Sequence, residues 1–175
     1  MIGLQEYIAY FKNFATQHED IAHEEETGKE AFVRSNVEEL LTGLRTKLHT
    51  RGYIMRLFTP EWTIEDNKSA NAMKSMRCSL IISGYAPTDD FDKEHEAMDK
   101  SEAIIEQIIN RMKKDSQNET LDENAIFYKS LRTLNKIDVY PQQGTDENHH
   151  GYMLTFTITP FYNPCVDNTQ WKDLT

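Results

Sequence analysis

The sequence predicts an α+β domain: a four-stranded, mostly antiparallel sheet in the element order ααββαββ, with its helices packed on one face. Three observations predict it. Apolar residues recur at helical spacing in three separate stretches, alternate with polar ones in four others, and are punctuated by glycine and proline at the boundaries. A chain of 175 residues is long enough to bury one sizeable core.

The first helix is read from Leu4, Tyr7, Ile8, Phe11, Phe14 and Ala15, which share one face of a helix running from residue 3 to about residue 22. An acidic stretch with Gly28 follows at 23–29 and reads as a hinge. Residues 1–28 are thus expected to form an N-terminal amphipathic helix and hinge, and 29–175 the α+β domain proper. Val33, Val37, Leu40, Leu41, Leu44 and Leu48 place a second helix before Arg51, with Ser35 or Asn36 as an inner cap and Gly52 as its left-handed stop.

A first strand spans Tyr53 to Phe58 and is halted by Pro60, and residues 61–74, which carry Trp62, read as a polar loop. Met76, Cys78, Leu80 and Ile82 alternate with Arg77, Ser79 and Ser83 as a half-buried strand, closed at Gly84 to Pro87. The clearest helix opens at Thr88, Asp89 and Asp90. Its stripe is Ala97, Ser101, Ile104, Ile105, Ile108 and Met112, with acids at its start and Arg111, Lys113 and Lys114 at its end, as the helix dipole favours. After a polar loop at 115–125, strands are expected at 131–140 and from Tyr152 to Thr159. The hairpin between them would pass through Pro141 and the His149–His150 pair.

Composition narrows the function. The formal net charge is −10, so phosphate backbones and anionic membranes are repelled, and neither sequence-specific nucleic-acid binding nor membrane binding is expected. No window approaches a membrane-spanning length of apolar residues, and the N-terminus lacks a basic segment followed by an apolar run, so a cytoplasmic origin is expected. Cys78 and Cys165 are then two free thiols.

No set of residues reads as a catalytic, cofactor-binding or metal site, and no cofactor is expected. His18 and His23 flank Asp20, but five residues of separation put the rings on different sides of a helix, where four would converge them. His149 and His150 read as a loop pair without a third ligand. Asp89, Asp90 and Asp92 lack the glycine and terminal glutamate of a calcium loop and are better read as helix caps. Cys78 shares a side with Leu80 and Ile82, so it is expected in the core rather than as a nucleophile. The phosphate-binding, dinucleotide, nucleophile-elbow and dithiol motifs are all missing from the sequence. Trp62, Phe161, Tyr162 and Trp171 are either clamps over the chain's own core or anchors at a subunit interface.

The mid-chain helix between two hairpins and the final strand GYMLTFTITP at 151–160 resemble the tail-terminator and head–tail joining (neck) proteins of tailed phages. The resemblance spans roughly residues 30 to 162 and is one of topology and pattern. It implies a non-enzymatic structural subunit that forms a ring of about six or more copies. It also implies contacts with other tail or neck proteins, in the virion or in a bacterial host's cytoplasm before assembly. The competing expectation is a cytoplasmic small-ligand-binding module using a concave sheet face with Tyr53, Tyr85 and Phe156. A third is an enzyme using His18, Asp20 and His23.

Overall fold

The computed structural model describes residues 3–24, 26, 29–35, 52–65, 73–87, 89–117, 126–143 and 148–160. Three helices and a six-stranded mixed sheet lie within them: α1 (Leu4–Gln17), β1 (Phe32–Ser35), β2 (Tyr53–Phe58), β3 (Glu61–Glu65), β4 (Met73–Tyr85), α2 (Phe91–Ser116), α3 (Ile126–Leu131), β5 (Asn135–Gln143) and β6 (His149–Ile158). The α+β class is as expected, but the sheet has six strands rather than four. Its order is β1-β2-β4-β6-β5, with β3 beside β4, and the β1–β2 pair is parallel while the others are antiparallel.

Strand β4 is the spine. Its first half pairs with β3, its second half with β2, and its far side with β6 along nearly its whole length. Because side chains alternate, Met76, Cys78, Leu80 and Ile82 fall on one side, opposite Ile158, Phe156, Leu154 and Tyr152 of β6. All three helices pack on that side. Tyr7, Tyr10, Phe11, Phe14 and Ala15 of α1, Ile104, Ile105, Ile108 and Met112 of α2, and Phe127 and Leu131 of α3 join the same buried cluster. Helix α1 therefore shares its core with the sheet.

Helix α2 forms for reasons visible in its sequence. Asp90 caps it by accepting the Lys93 backbone N–H at 3.1 Å, and the buried stripe is the expected one, residue for residue. Ser101 is small because the sheet comes close there: a Cβ at Gly151 would run into the Ile82 carbonyl oxygen and lie 2.9 Å from the Ser101 hydroxyl. That hydroxyl is satisfied within its own helix by donating to the Ala97 carbonyl at 2.7 Å.

Several expected boundaries are corrected. Helix α1 stops at Gln17, and residues 18–22 turn, with Ala22 at φ 44°. Val33 belongs to strand β1, buried beside β2, and does not open a helix; residues 36–51, where the rest of that helix was expected, lie outside the described residues. The expected loop at 61–74 begins with strand β3. Leu131 closes a helix instead of opening a strand, and β5 runs on through Pro141, which an edge strand tolerates because its missing N–H has no ladder partner to lose. The loop expected at 115–125 starts later, because Asp115 and Ser116 still belong to α2 and Gln117 caps it; residues 118–125 and the tail at 161–175 lie outside the described residues.

Candidate functional site

Among the described residues, strand β3 is the most exposed regular element. All five residues, Glu61 to Glu65, are exposed, and among the described residues the strand pairs with β4 alone. It continues β2 through Thr59 and Pro60. From Leu57 to Glu61 the chain advances four residues while the facing strand advances three, Leu80 to Arg77, so one extra residue bends the hairpin at this point. Beyond the bend the hairpin forms an arm carrying three apolar side chains: Trp62 is 60 % exposed, Met73 53 % and Ile64 38 %. The Lys74 ammonium lies 4.5 Å from the centre of the Trp62 ring, so the indole is held in place while much of it stays open to solvent. Trp62 was expected in a loop; the structure places it on this strand.

At the base of the arm, on the side of the sheet away from the helices, Phe58, Thr59, Glu61, Arg77, Ser79 and Met153 line an open depression of about 280 Å³. It is shallow and mixed in polarity. The aromatics expected to line a concave ligand face do not meet there. Phe156 is buried in the core opposite Cys78, Tyr53 packs against the helix-side core, and Tyr85 is exposed on the other side, with its ring 5.9 Å from that of His149.

The histidines and acids go to separate tasks. His18 hydrogen-bonds through Nε2 to Gln107 of α2 at 2.9 Å, and its Nδ1 accepts from the Asp20 backbone at 3.3 Å. The Asp20 carboxylate pairs with Lys100 at 2.9 Å. His23 turns inward, is buried, and accepts the Ala31 N–H at 3.2 Å. These contacts pin the chain after α1 onto α2 and β1. Among the described residues no group of three or more His, Cys, Asp or Glu is placed to hold a metal. His149 and His150 are in strand β6 and not in a loop; His149 is buried, and His150 lies 3.8 Å from Glu94 at the start of α2.

Cys78 is in the core as expected, fully buried. Burial pushes its thiol up to about 12, outweighing the hydrogen bond to Tyr7 that opposes the shift, so the nucleophilic thiolate is suppressed at neutral pH. Tyr7 is likewise raised, by burial first and by Cys78 second. Around them lies an aromatic corner in which Tyr7, Tyr10, Phe11, Phe14 and Phe127 meet edge-on or tilted at 4.6 to 6.2 Å between ring centres. At its polar margin Tyr10 donates to Asp115 at 3.0 Å and Arg111 pairs with the same carboxylate at 3.0 Å, while Glu6 separately accepts the Phe127 N–H at 2.7 Å.

Sequence reasoning missed β3 as a site. The available signal was the alternation Glu61-Trp62-Thr63-Ile64-Glu65 directly after Pro60, a period-2 pattern short enough to pass for a loop. Phe161, Tyr162, Cys165 and Trp171 lie outside the described residues. Among the described residues no helix is long and apolar enough to cross a membrane. Compared with known proteins, the chain matches no family model and no curated sequence.

Proposed function

We propose that this chain is a non-enzymatic structural subunit of a phage or prophage tail or neck, of the tail-terminator or head–tail connector type. Copies assemble into a ring of about six or more subunits and meet other tail or neck proteins, in the virion or in a bacterial host's cytoplasm before assembly. The observation that carries the reading is the β3–β4 arm. It holds Trp62, Ile64 and Met73 out of a core that buries the aromatic residues of α1. Exposed aromatic and aliphatic side chains on an edge strand are what an interface uses, since a partner removes them from water and completes the strand's backbone hydrogen bonds.

The net charge of −10 supports the same reading, because a ring of acidic subunits repels DNA from its inner wall and lets it pass without capture. The ligand-binding alternative has the open depression beside Arg77 in its favour, but its proposed aromatic lining is divided between the core and opposite sides of the sheet.

Light scattering at several protein concentrations and two salt levels tests the proposal. A discrete mass of about six or more subunits is expected. A mass of one subunit under every condition sinks the homo-ring and makes a ligand screen of the depression the next experiment.

A further inference from the structure

At the level of β3, an acidic residue stands at one margin of the sheet and basic residues at the other. Glu61 faces Arg77, Arg77 faces Thr157, and Thr157 faces Asn135, so one row of residues crosses β3, β4, β6 and β5. At one end of the row is the exposed Glu61. At the other, next to Asn135, is the exposed Lys136, with Arg132 exposed in the turn just before it. A bulge between Asn135 and Asp138 accommodates Lys136 at φ 47°. Four strands span roughly 14 Å from β3 to β5.

The two margins are also built differently. β3 has neither proline nor bulge within it, and its backbone edge is open among the described residues. β5 carries a bulge, a lysine and Pro141, the features that keep an edge strand from pairing indiscriminately. Self-pairing of β3 with β3 of another copy is disfavoured on charge. An antiparallel match of Glu61-Trp62-Thr63-Ile64-Glu65 with itself, centred on Thr63, sets Glu61 against Glu65 at both ends.

We infer that the β3 margin of one subunit docks against the β5 margin of a second copy, with Glu61 facing Lys136 and Arg132 across the seam. The contact is head-to-tail: each subunit presents its acidic, aromatic-bearing margin to the cationic margin of the next. A heterologous contact of this kind closes into a ring when its rotation divides the circle, whereas a β3–β3 contact would stop at two subunits. The inference rests on the ring reading and adds which surfaces make the seam.

Charge reversal tests it, with solution mass as the readout. Wild-type protein, Glu61→Lys, Lys136→Glu and the double variant are compared at low salt. Both sites are exposed, so all four are expected to fold with the same circular dichroism. Each single reversal makes the two margins alike in sign and is expected to raise the concentration for half-assembly about tenfold, and the double variant, with its charges exchanged, to recover it. An equimolar mixture of the two single variants is expected to assemble as well if the ring has an even number of subunits, because alternating variants then join opposite charges at every seam. A wild-type ring that is insensitive to the single reversals, or not recovered by the double variant, overturns this seam and leaves the ring reading standing. A wild-type mass of exactly two subunits overturns the head-to-tail contact, and a wild-type monomer throughout overturns both readings.

Discussion

Aromatic residues do opposite things in two regions of this molecule. In the corner where α1 and α3 meet the sheet, Tyr7, Phe11 and Phe127 are fully buried and touch one another. On the β3 arm, Trp62 is 60 % exposed, with the Lys74 ammonium over its ring and Met76 opposite it on β4. The first arrangement stabilises the fold; the second leaves apolar area open to solvent. Substitutions in the corner should therefore act on folding, and substitutions on the arm on association.

The largest effect should come from the corner. Phe11→Ala removes a fully buried ring and should cost about 3–5 kcal/mol, lowering the melting temperature by on the order of 10 °C. A change of under about 1 kcal/mol in a denaturant titration would show that the corner collapses around the gap and is less rigid than its packing implies.

Alkaline pH probes the same region through Cys78. Its folded value of about 12 lies above the ordinary 9.0, so folding favours the protonated thiol. The contribution is intact below about pH 9 and is lost as pH rises toward 12, with the raised Tyr7 and Tyr10 acting in the same direction. Urea midpoints should therefore fall steadily above pH 9 and stay flat below it as far as these groups are concerned. Replacing Cys78 by Ala should flatten part of that slope. Tyr10→Phe comes next: it keeps the ring and removes the bond to the Asp115 carboxylate, and should cost about 1.5–3 kcal/mol.

The smallest effect on folding should be at the arm. Trp62→Ala is expected to change subunit stability by no more than about 0.5 kcal/mol while lowering the solution mass at a given concentration. If it destabilised the subunit as much as Phe11→Ala, the contrast between the two regions would be gone.

Much of the helix-side core was legible because its elements are long. Helix α2 offers seven turns of repeat, and its stripe from Ala97 to Met112 could be read residue by residue. β2 emerged with its observed limits because Gly52 and Pro60 bracket it. The misses are short or marginal elements. β1 has four residues, too few to separate a period of 2 from a period of 3.6, so Val33 was drawn into the apolar series that follows it. β3 is a strand because β4 is beside it, and its five-residue alternation is too short to set it apart from a loop. His149 and Pro141 looked like loop residues by type, yet Pro141 sits in edge strand β5, which accepts a proline, and His149 pairs with Tyr85 in the β4–β6 ladder, where its buried ring meets the tyrosine edge-on. The candidate seam was the least legible part, since Glu61 and Lys136 are related only by a row across four strands.

The continuity of β4 has a mechanical consequence. Its 13 residues, about 43 Å of extended backbone, are shared between the arm and the core without a break. A force applied to the arm along the strand loads the hydrogen bonds to β6 and β2 together in shear, instead of peeling them one at a time. Tension entering the hairpin is thus delivered straight into the best-packed part of the subunit. A ring joined through such arms would stretch as a chain of stiff links.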